Sequence, residues 1–309
     1  MSTFLQQVFN GLVLGSLYSL IALGYTMVYG IVNLINFAHG DVLMVGALAA
    51  LSAMTLMRAA MPGMPGWILM LAGMAAAIPV CVLLNLAIER IAYRPLRNAP
   101  RLAPLITAIG VSILLQTAAM ILWGRNHLTY PQLLSPNPIA LGSITATRTQ
   151  LLVVAASAAL MLALLVLVQR TRLGRAMRAT AENPHVAALM GVNPNAIIAT
   201  TFAIGAALAA VAGVLYSSVY SVAYFSMGFL PGLKAFTAAV LGGIGNIPGA
   251  MVGGIVLGLI ESLGAGYLDQ LTGGVFGSNY EDVFAFGVLC AVLILRPSGL
   301  LGERVADRP

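Results

Sequence analysis

The sequence predicts an all-α fold, a polytopic bundle of membrane-spanning helices. Charged residues make up 8% of the 309 positions, against about 25% in a soluble domain, and mean hydropathy is +0.96. Apolar runs of about 20 residues, the length that crosses a bilayer as helix, recur along the chain. They are continuous, whereas a membrane β-barrel reads as short alternating segments. No loop between them is long enough to bury a core of its own, so residues 1–309 are expected to form one transmembrane domain.

In chain order the runs place spans near 10–31, 42–58, 67–88, 104–123, 150–168, 196–217, 230–243, 249–267 and 283–296. The run at 230–243 is short for a crossing, which gives about eight or nine transmembrane helices. Residues 1–9 hold no Lys or Arg. A cleavable signal peptide begins with basic residues, so the first run is expected to stay as a helix.

Arginines set the orientation. Three clusters hold 11 of the 15 basic residues: Arg90, Arg94, Arg97 and Arg101; Arg170, Arg172, Arg175 and Arg178; Arg296, Arg304 and Arg308. Short cytoplasmic loops are enriched in Lys and Arg. Nine crossings put all three clusters on that side, with the N-terminus and loops 59–66, 124–149 and 268–282 outside. A re-entrant 230–243 would send the arginine tail outside, so nine crossings is the favoured count. Topology therefore accounts for the net charge of +6 better than nucleic-acid binding does. The stretch PQLLSPNP in loop 124–149 reads as an ordered turn region, either a connector or a docking surface. Cys81 and Cys290 lie in apolar runs and read as small buried hydrophobes.

Two breaks interrupt the apolar pattern, NLINFAHGD at 33–41 and GGIGNIPG at 242–249. Unpaired backbone groups are costly in hydrocarbon, so such breaks survive inside protein or beside a water-filled cavity. Interrupted segments in comparable places of two halves point to a transport pathway. Asp41 suits the N-cap of the following helix, or it is a polar pathway group. His39 has no second His or Cys nearby and reads as a hydrogen-bonding residue rather than a ligand. Asn33, Asn36 and Asn246 are expected to satisfy broken backbone first, with gating as the second reading. Lys234 is the chain's one lysine. It either snorkels to the outer interface or pairs with Glu261, whose charge inside an apolar run is expensive without a partner or a cavity. Thr237, one turn after Lys234, completes the candidate pathway set.

Other chemistries find little support. No glycine-rich loop is a P-loop, because Lys234 is followed by Ala235 where the motif needs Ser or Thr. The histidines, His39, His127 and His185, are scattered, and no Cys/His cluster suggests a metal site or a nucleophilic triad.

The predicted cytoplasmic loop 169–195 is the longest basic excursion. In it Asn183 suits a cap, Pro184 the first helical position, HVAALM a short helix, and Gly191 its end. Asn193 and Pro194 lead into the next span. Such a helix either rests on lipid headgroups or is gripped by another protein. Met190 is able to fill an irregular groove, and Arg170–Arg178 would anchor the flanks to anionic lipid or an acidic partner.

AENPHVAALMGVN resembles, in degenerate form, the cytoplasmic coupling segment of ABC importer permeases. GYTMVYGIVNLINFAHGD, IERIAYRPLR, AIGVSILLQ and KAFTAAVLGGIGNIPGAMVGG resemble, in order and over nearly the whole chain, the LivH-type permeases of branched-chain amino acid importers. The resemblance implies a non-catalytic translocation subunit in a bacterial inner membrane. It implies a heterodimer with a second homologous permease, two cytoplasmic ATPases carrying ATP and Mg, and a periplasmic binding protein that delivers substrate. It makes 183–191 the coupling helix, with Ala188, Met190 and Gly191 at the contact, Glu182 and Arg178 flanking it, and Asn183, Ala187 and Asn193 around it. No cofactor is expected on this chain. The competing class is an ion-coupled secondary transporter using Asp41, Lys234 or Glu261. It does not need a delimited cytoplasmic helix.

Overall fold

A computed structural model describes residues 2–97, 99–100, 102–134, 137–142, 144–271 and 280–302. Of the predicted basic residues, Arg101, Arg304 and Arg308 lie outside the described residues, as does most of the loop at 268–282. Eleven α-helices follow one another: α1 (Ser2–Val32), α2 (His39–Ala60), α3 (Gly66–Ile88), α4 (Leu102–Trp123), α5 (Arg148–Arg170), α6 (Arg172–Glu182), α7 (Pro184–Leu189), α8 (Pro194–Tyr220), α9 (Phe229–Gly242), α10 (Ile247–Leu271) and α11 (Glu281–Leu295). A π-helical turn, Glu89–Tyr93, and a 3-10 turn, Arg94–Leu96, extend α3. Among the described residues seven helices are long and apolar enough to cross a membrane: α1, α2, α3 with its extension, α4, α5, α8 and α10. The remaining two expected spans are the shorter helices α9 and α11.

α1 is the axis of the bundle. Its most apolar window is 89% buried and that of α8 67%, against 22% for α4 and α5, which therefore lie at the periphery. Small residues set this arrangement. α1 runs antiparallel to α10 so closely that a Cβ on Gly15 would sit 2.7 Å from the Ile255 Cα, and one on Gly258 would strike the Gly15 backbone. Where lipid tails are as apolar as leucine, association depends on this kind of close packing. Ile106 and Ile121 on α4, Leu83 on α3 and Ile294 on α11 point outward, where hydrocarbon is their natural solvent. Cys81 is buried, as expected, with its thiol 3.4 Å from the Val42 carbonyl. Cys290 is not: it faces outward on α11.

The two ends of the bundle differ. At one end the last turn of α1, the Arg97 side chain, α7 and the start of α8 enclose a common cavity. This arginine end also holds Arg178, which donates to the Val168 carbonyl, and the α9–α10 link. At the opposite end Gln6 pairs with Thr145, accepting from its N–H at 2.9 Å and donating to its carbonyl at 3.0 Å. The described residues of the connection 124–147 form short strands there. β1 (Leu128–Thr129) pairs antiparallel with β4 (Val222–Ala223), and β2 (Ile139–Leu141) with β3 (Ile144–Ala146). Thr147 and Gln150 close a capping box at the start of α5. Tyr130 is buried beneath the strands, and that burial pushes its hydroxyl pKa up.

Both breaks are narrower than the sequence pattern suggests. α2 resumes at His39, so the first break is residues 33–38. Asp41 then lies inside the first turn of α2, whose N-cap is Ala38 with no side-chain cap bond. The expected N-cap role of Asp41 is therefore corrected. The second break is 243–246. Asn246 begins α10 by accepting from the Gly249 N–H at 3.1 Å, with Pro248 in the first helical turn, where a missing N–H costs nothing.

Candidate functional site

The helices that begin within the bundle meet each other. α8 reaches the opposite end at Tyr220, Ser221 adopts a left-handed conformation, and β4 follows. The chain then turns back through 224–228, and α9 starts beside the first turn of α2. A Cβ on Gly228 would collide with the Gly40 carbonyl, and one on Gly232 would sit 3.0 Å from the Gly40 Cα. α9 has 14 residues, about 21 Å of helix, too short to cross a hydrocarbon core of about 30 Å. It covers the half of the bundle toward the arginine end, and 221–228 supplies the rest of the path. Irregular backbone at this depth is tolerated because α1, α2 and α8 enclose it.

Several predicted pathway residues gather at this crossing. His39 is buried against Gly24 and Gly205, which leave room for the imidazole. It stands edge-on to Tyr25, with ring centroids 4.9 Å apart. Phe236 of α9 completes the cluster with Tyr25 and Phe37. The Asn36 carbonyl oxygen accepts from the Tyr93 hydroxyl at 2.7 Å, which ties the first break to the π-helical turn after α3. Asp41 is buried and accepts from the Gln116 amide of α4 at 3.0 Å. Among the described residues no ion pair reaches it. Thr237, on α9, spends its hydroxyl on the Lys234 carbonyl at 2.6 Å.

Lys234 and Glu261 do pair, at 2.7 Å, and Asp282 of α11 joins them at 2.5 Å from the same ammonium. Tyr18 of α1 donates to Glu261 Oε1 at 3.0 Å, and its ring lies 6.0 Å from the Lys234 Nζ. Four helices thus converge on one ion cluster.

Asn33 and Asn246 belong elsewhere. Asn33, exposed with φ +53°, ends α1 in the left-handed region that Asn tolerates. Asn246 donates to the Leu301 carbonyl at 2.7 Å. With Leu300 and Leu301 N–H groups on the Leu241 and Gly242 carbonyls, it straps the α9–α10 link to the segment after α11. Both lie at the arginine end, away from His39 and Asp41.

The arm between α5 and α8 is ordered. Thr171 caps α6, and a Cβ on Gly174 would collide with the Val168 carbonyl, so α6 folds tightly back on α5. Gly174, Met177 and Thr180 bury one face, while Arg172, Arg175 and Arg178 stay exposed. The Asn183 side-chain Oδ1 accepts from the His185 and Val186 N–H groups at 3.0 and 3.1 Å, and Pro184 opens α7. Gly191, at φ +84°, ends it, the usual use of glycine after a helix. Asn193 caps α8 through the Ala196 N–H. Glu182, Ala188, Met190 and Gly191 are exposed. Ala187, expected beside the contact, is buried against the bundle. Leu189 instead stands beside Met190, the two being 85% and 81% exposed.

Sequence reasoning missed Tyr18, Tyr93, Gln116 and Asp282 at these sites, together with Asn85, whose amide donates to the Phe202 carbonyl at 2.7 Å between α3 and α8. Asn85 and Gln116 did carry a signal, as amides inside long apolar runs. Tyr18 and Tyr93 carried no such signal, because tyrosine is usual near the ends of membrane helices.

Comparison with known proteins agrees with this architecture. The family model described as the branched-chain amino acid transport system permease component matches residues 7–293. The chain is 50% identical to the high-affinity branched-chain amino acid transport system permease protein BraD of Pseudomonas aeruginosa, covering 99% of this chain and 98% of that one. It is 46% identical to the permease protein LivH of Escherichia coli, over 99% and 97% of the two chains. A probable LivH of Methanocaldococcus jannaschii is 27% identical, over 95% and 91%. No solved structure matches the chain significantly. With the family model spanning nearly all the helices and two relatives matched end to end, this chain is a multi-pass membrane protein that belongs to the branched-chain amino acid transport permease family.

Proposed function

We propose that the chain is the translocating subunit of an ATP-driven importer that carries branched-chain amino acids from periplasm to cytoplasm across a bacterial inner membrane. It works beside a second homologous permease. Two cytoplasmic ATPases hold ATP and Mg, and a soluble periplasmic protein delivers substrate. The chain itself catalyses nothing. The observation that best supports this reading is α7. It is a short helix delimited by Asn183 and Gly191, carried on a basic arm, with Leu189 and Met190 exposed at its tip. Two large apolar side chains held out in this way suit a groove on a partner. Nucleotide-driven closure of the ATPases would then bias the permease between its two states through this contact, since a ligand shifts an equilibrium only by its differential affinity for the states.

The test is co-purification from native membranes in mild detergent, wild type beside Leu189→Asp and Met190→Asp. Gly191 is the poorer target, because its positive φ makes any side chain strained. ATPase subunits should accompany the wild type, and each Asp variant should weaken their retention at least about tenfold without loss of the folded permease. A wild type that brings down no ATPase, or Asp variants that retain it fully, would remove α7 from this role.

A further inference from the structure

The Lys234 cluster carries more charge than holding α9 in place requires. Among the described residues one ammonium faces two carboxylates, a net charge of −1 among membrane helices. Glu261 is 4% exposed, and among the described residues its Oε2 has no partner while Oε1 takes bonds from both Lys234 and Tyr18. A buried carboxylate oxygen left bare is costly. The cluster is also open on one side, since the Asp282 side chain is 41% exposed while those of Lys234 and Glu261 are 14% and 5%. Lys234 sits in the second turn of α9, just past the point where the chain turns back into the bundle. The ring of Tyr18 lies 6.0 Å from the Lys234 ammonium.

We propose that Glu261, Lys234 and Asp282 form a binding station for the zwitterionic head of an α-amino acid. The inference rests on the amino-acid importer reading and assigns that importer a substrate site on the permease itself. The substrate ammonium goes to the bare Oε2 of Glu261. The substrate carboxylate takes the place of Asp282 on Lys234, and the displaced Asp282 carboxylate turns to the exposed side. Each charge of the zwitterion meets an opposite charge, and the carboxylate it displaces is the one that is 41% exposed rather than a buried one. Unpaired charges there are prohibitive, and a removed partner costs more than a replaced one. An amine without a carboxylate leaves the Lys234–Asp282 pair undisturbed and gains half the contacts. An acid without an amine leaves Glu261 Oε2 bare.

The experiment measures equilibrium binding of tritiated L-leucine to the detergent-solubilised complex, without the soluble binding protein. The competitors are L-valine, 4-methylpentanoate, which lacks the amine, and 3-methylbutylamine, which lacks the carboxylate. Valine should displace leucine, and neither singly charged analogue should do so at tenfold higher concentration. Glu261→Gln keeps the shape and the Tyr18 contact, yet it should weaken binding at least about tenfold, as should Lys234→Met. Asp282→Asn should bind as tightly as wild type or more so, because the ligand displaces that carboxylate. A purely structural ion cluster predicts instead that all three variants lose folded complex together, with leucine indifferent. Displacement by either analogue as effective as by valine overturns the site. So does unchanged binding in Glu261→Gln, or no leucine binding by a complex that imports leucine in vesicles. Failure of the importer reading looks different: no ATPase co-purifies and the vesicles take up no branched-chain amino acid.

Discussion

The Tyr93 hydroxyl donates to the Asn36 side-chain oxygen at 2.7 Å, and both groups are buried. The bond joins two elements that are irregular for different reasons. Asn36 lies in the break between α1 and α2, and Tyr93 closes the π-helical turn beyond α3. Each irregularity supplies a polar group that the other satisfies.

Tyr93→Phe should therefore leave Asn36 without a side-chain partner while keeping the ring packed 5.7 Å from Phe202. The expected cost is about 1–3 kcal/mol. It is read as a lowered thermal unfolding midpoint of the detergent-purified protein, and a Tyr93→Phe/Asn36→Ala double variant should lose less than the sum of the two single changes.

The α1–α10 crossing should tolerate no side chain. Gly258→Val places methyl groups on the Gly15 backbone and should cost about 3 kcal/mol or more, seen as loss of folded material. Gly110→Ala and Gly287→Ala meet nothing within 4 Å. They should be neutral or stabilising by up to about 1 kcal/mol, which makes them controls for glycine replacement as such.

Asp41 offers a separation of stability from transport. Asp41→Asn removes a buried charge that no ion pair offsets and keeps an acceptor for Gln116. The unfolding midpoint should stay level or rise, because a charge is expensive at this depth. If Asp41 serves the pathway, leucine uptake by the intact complex should nevertheless fall. Uptake equal to wild type assigns Asp41 to packing alone.

Asn183→Ala removes both capping bonds of α7. The loss of about 1 kcal/mol should stay local. Amide exchange across 184–189 should quicken while α6 and α8 keep their protection, and Asn183→Asp should restore the slow exchange.

The sequence by itself determined the class of fold, the approximate spans, the position of the two breaks, the Asn183–Gly191 boundaries of α7 and the candidate Lys234–Glu261 pair. These are local or strongly constrained properties. Apolar runs report their own burial in lipid. Cap and stop residues act within one turn of themselves. A lone lysine and a lone glutamate in apolar runs have few affordable alternatives to each other. Only the tertiary structure decided that Asp41 faces Gln116 rather than capping α2, that Ala187 turns inward while Leu189 turns out, and that Asp282 completes the ion cluster. It also decided that α9 starts inside the bundle against Gly40. Those outcomes depend on which helix lies beside which. In this chain that choice rests on glycine-to-glycine approach between segments distant in sequence, such as Gly15 and Gly258, 243 residues apart, and hydropathy is blind to it, because every competing pairing buries equally apolar helices.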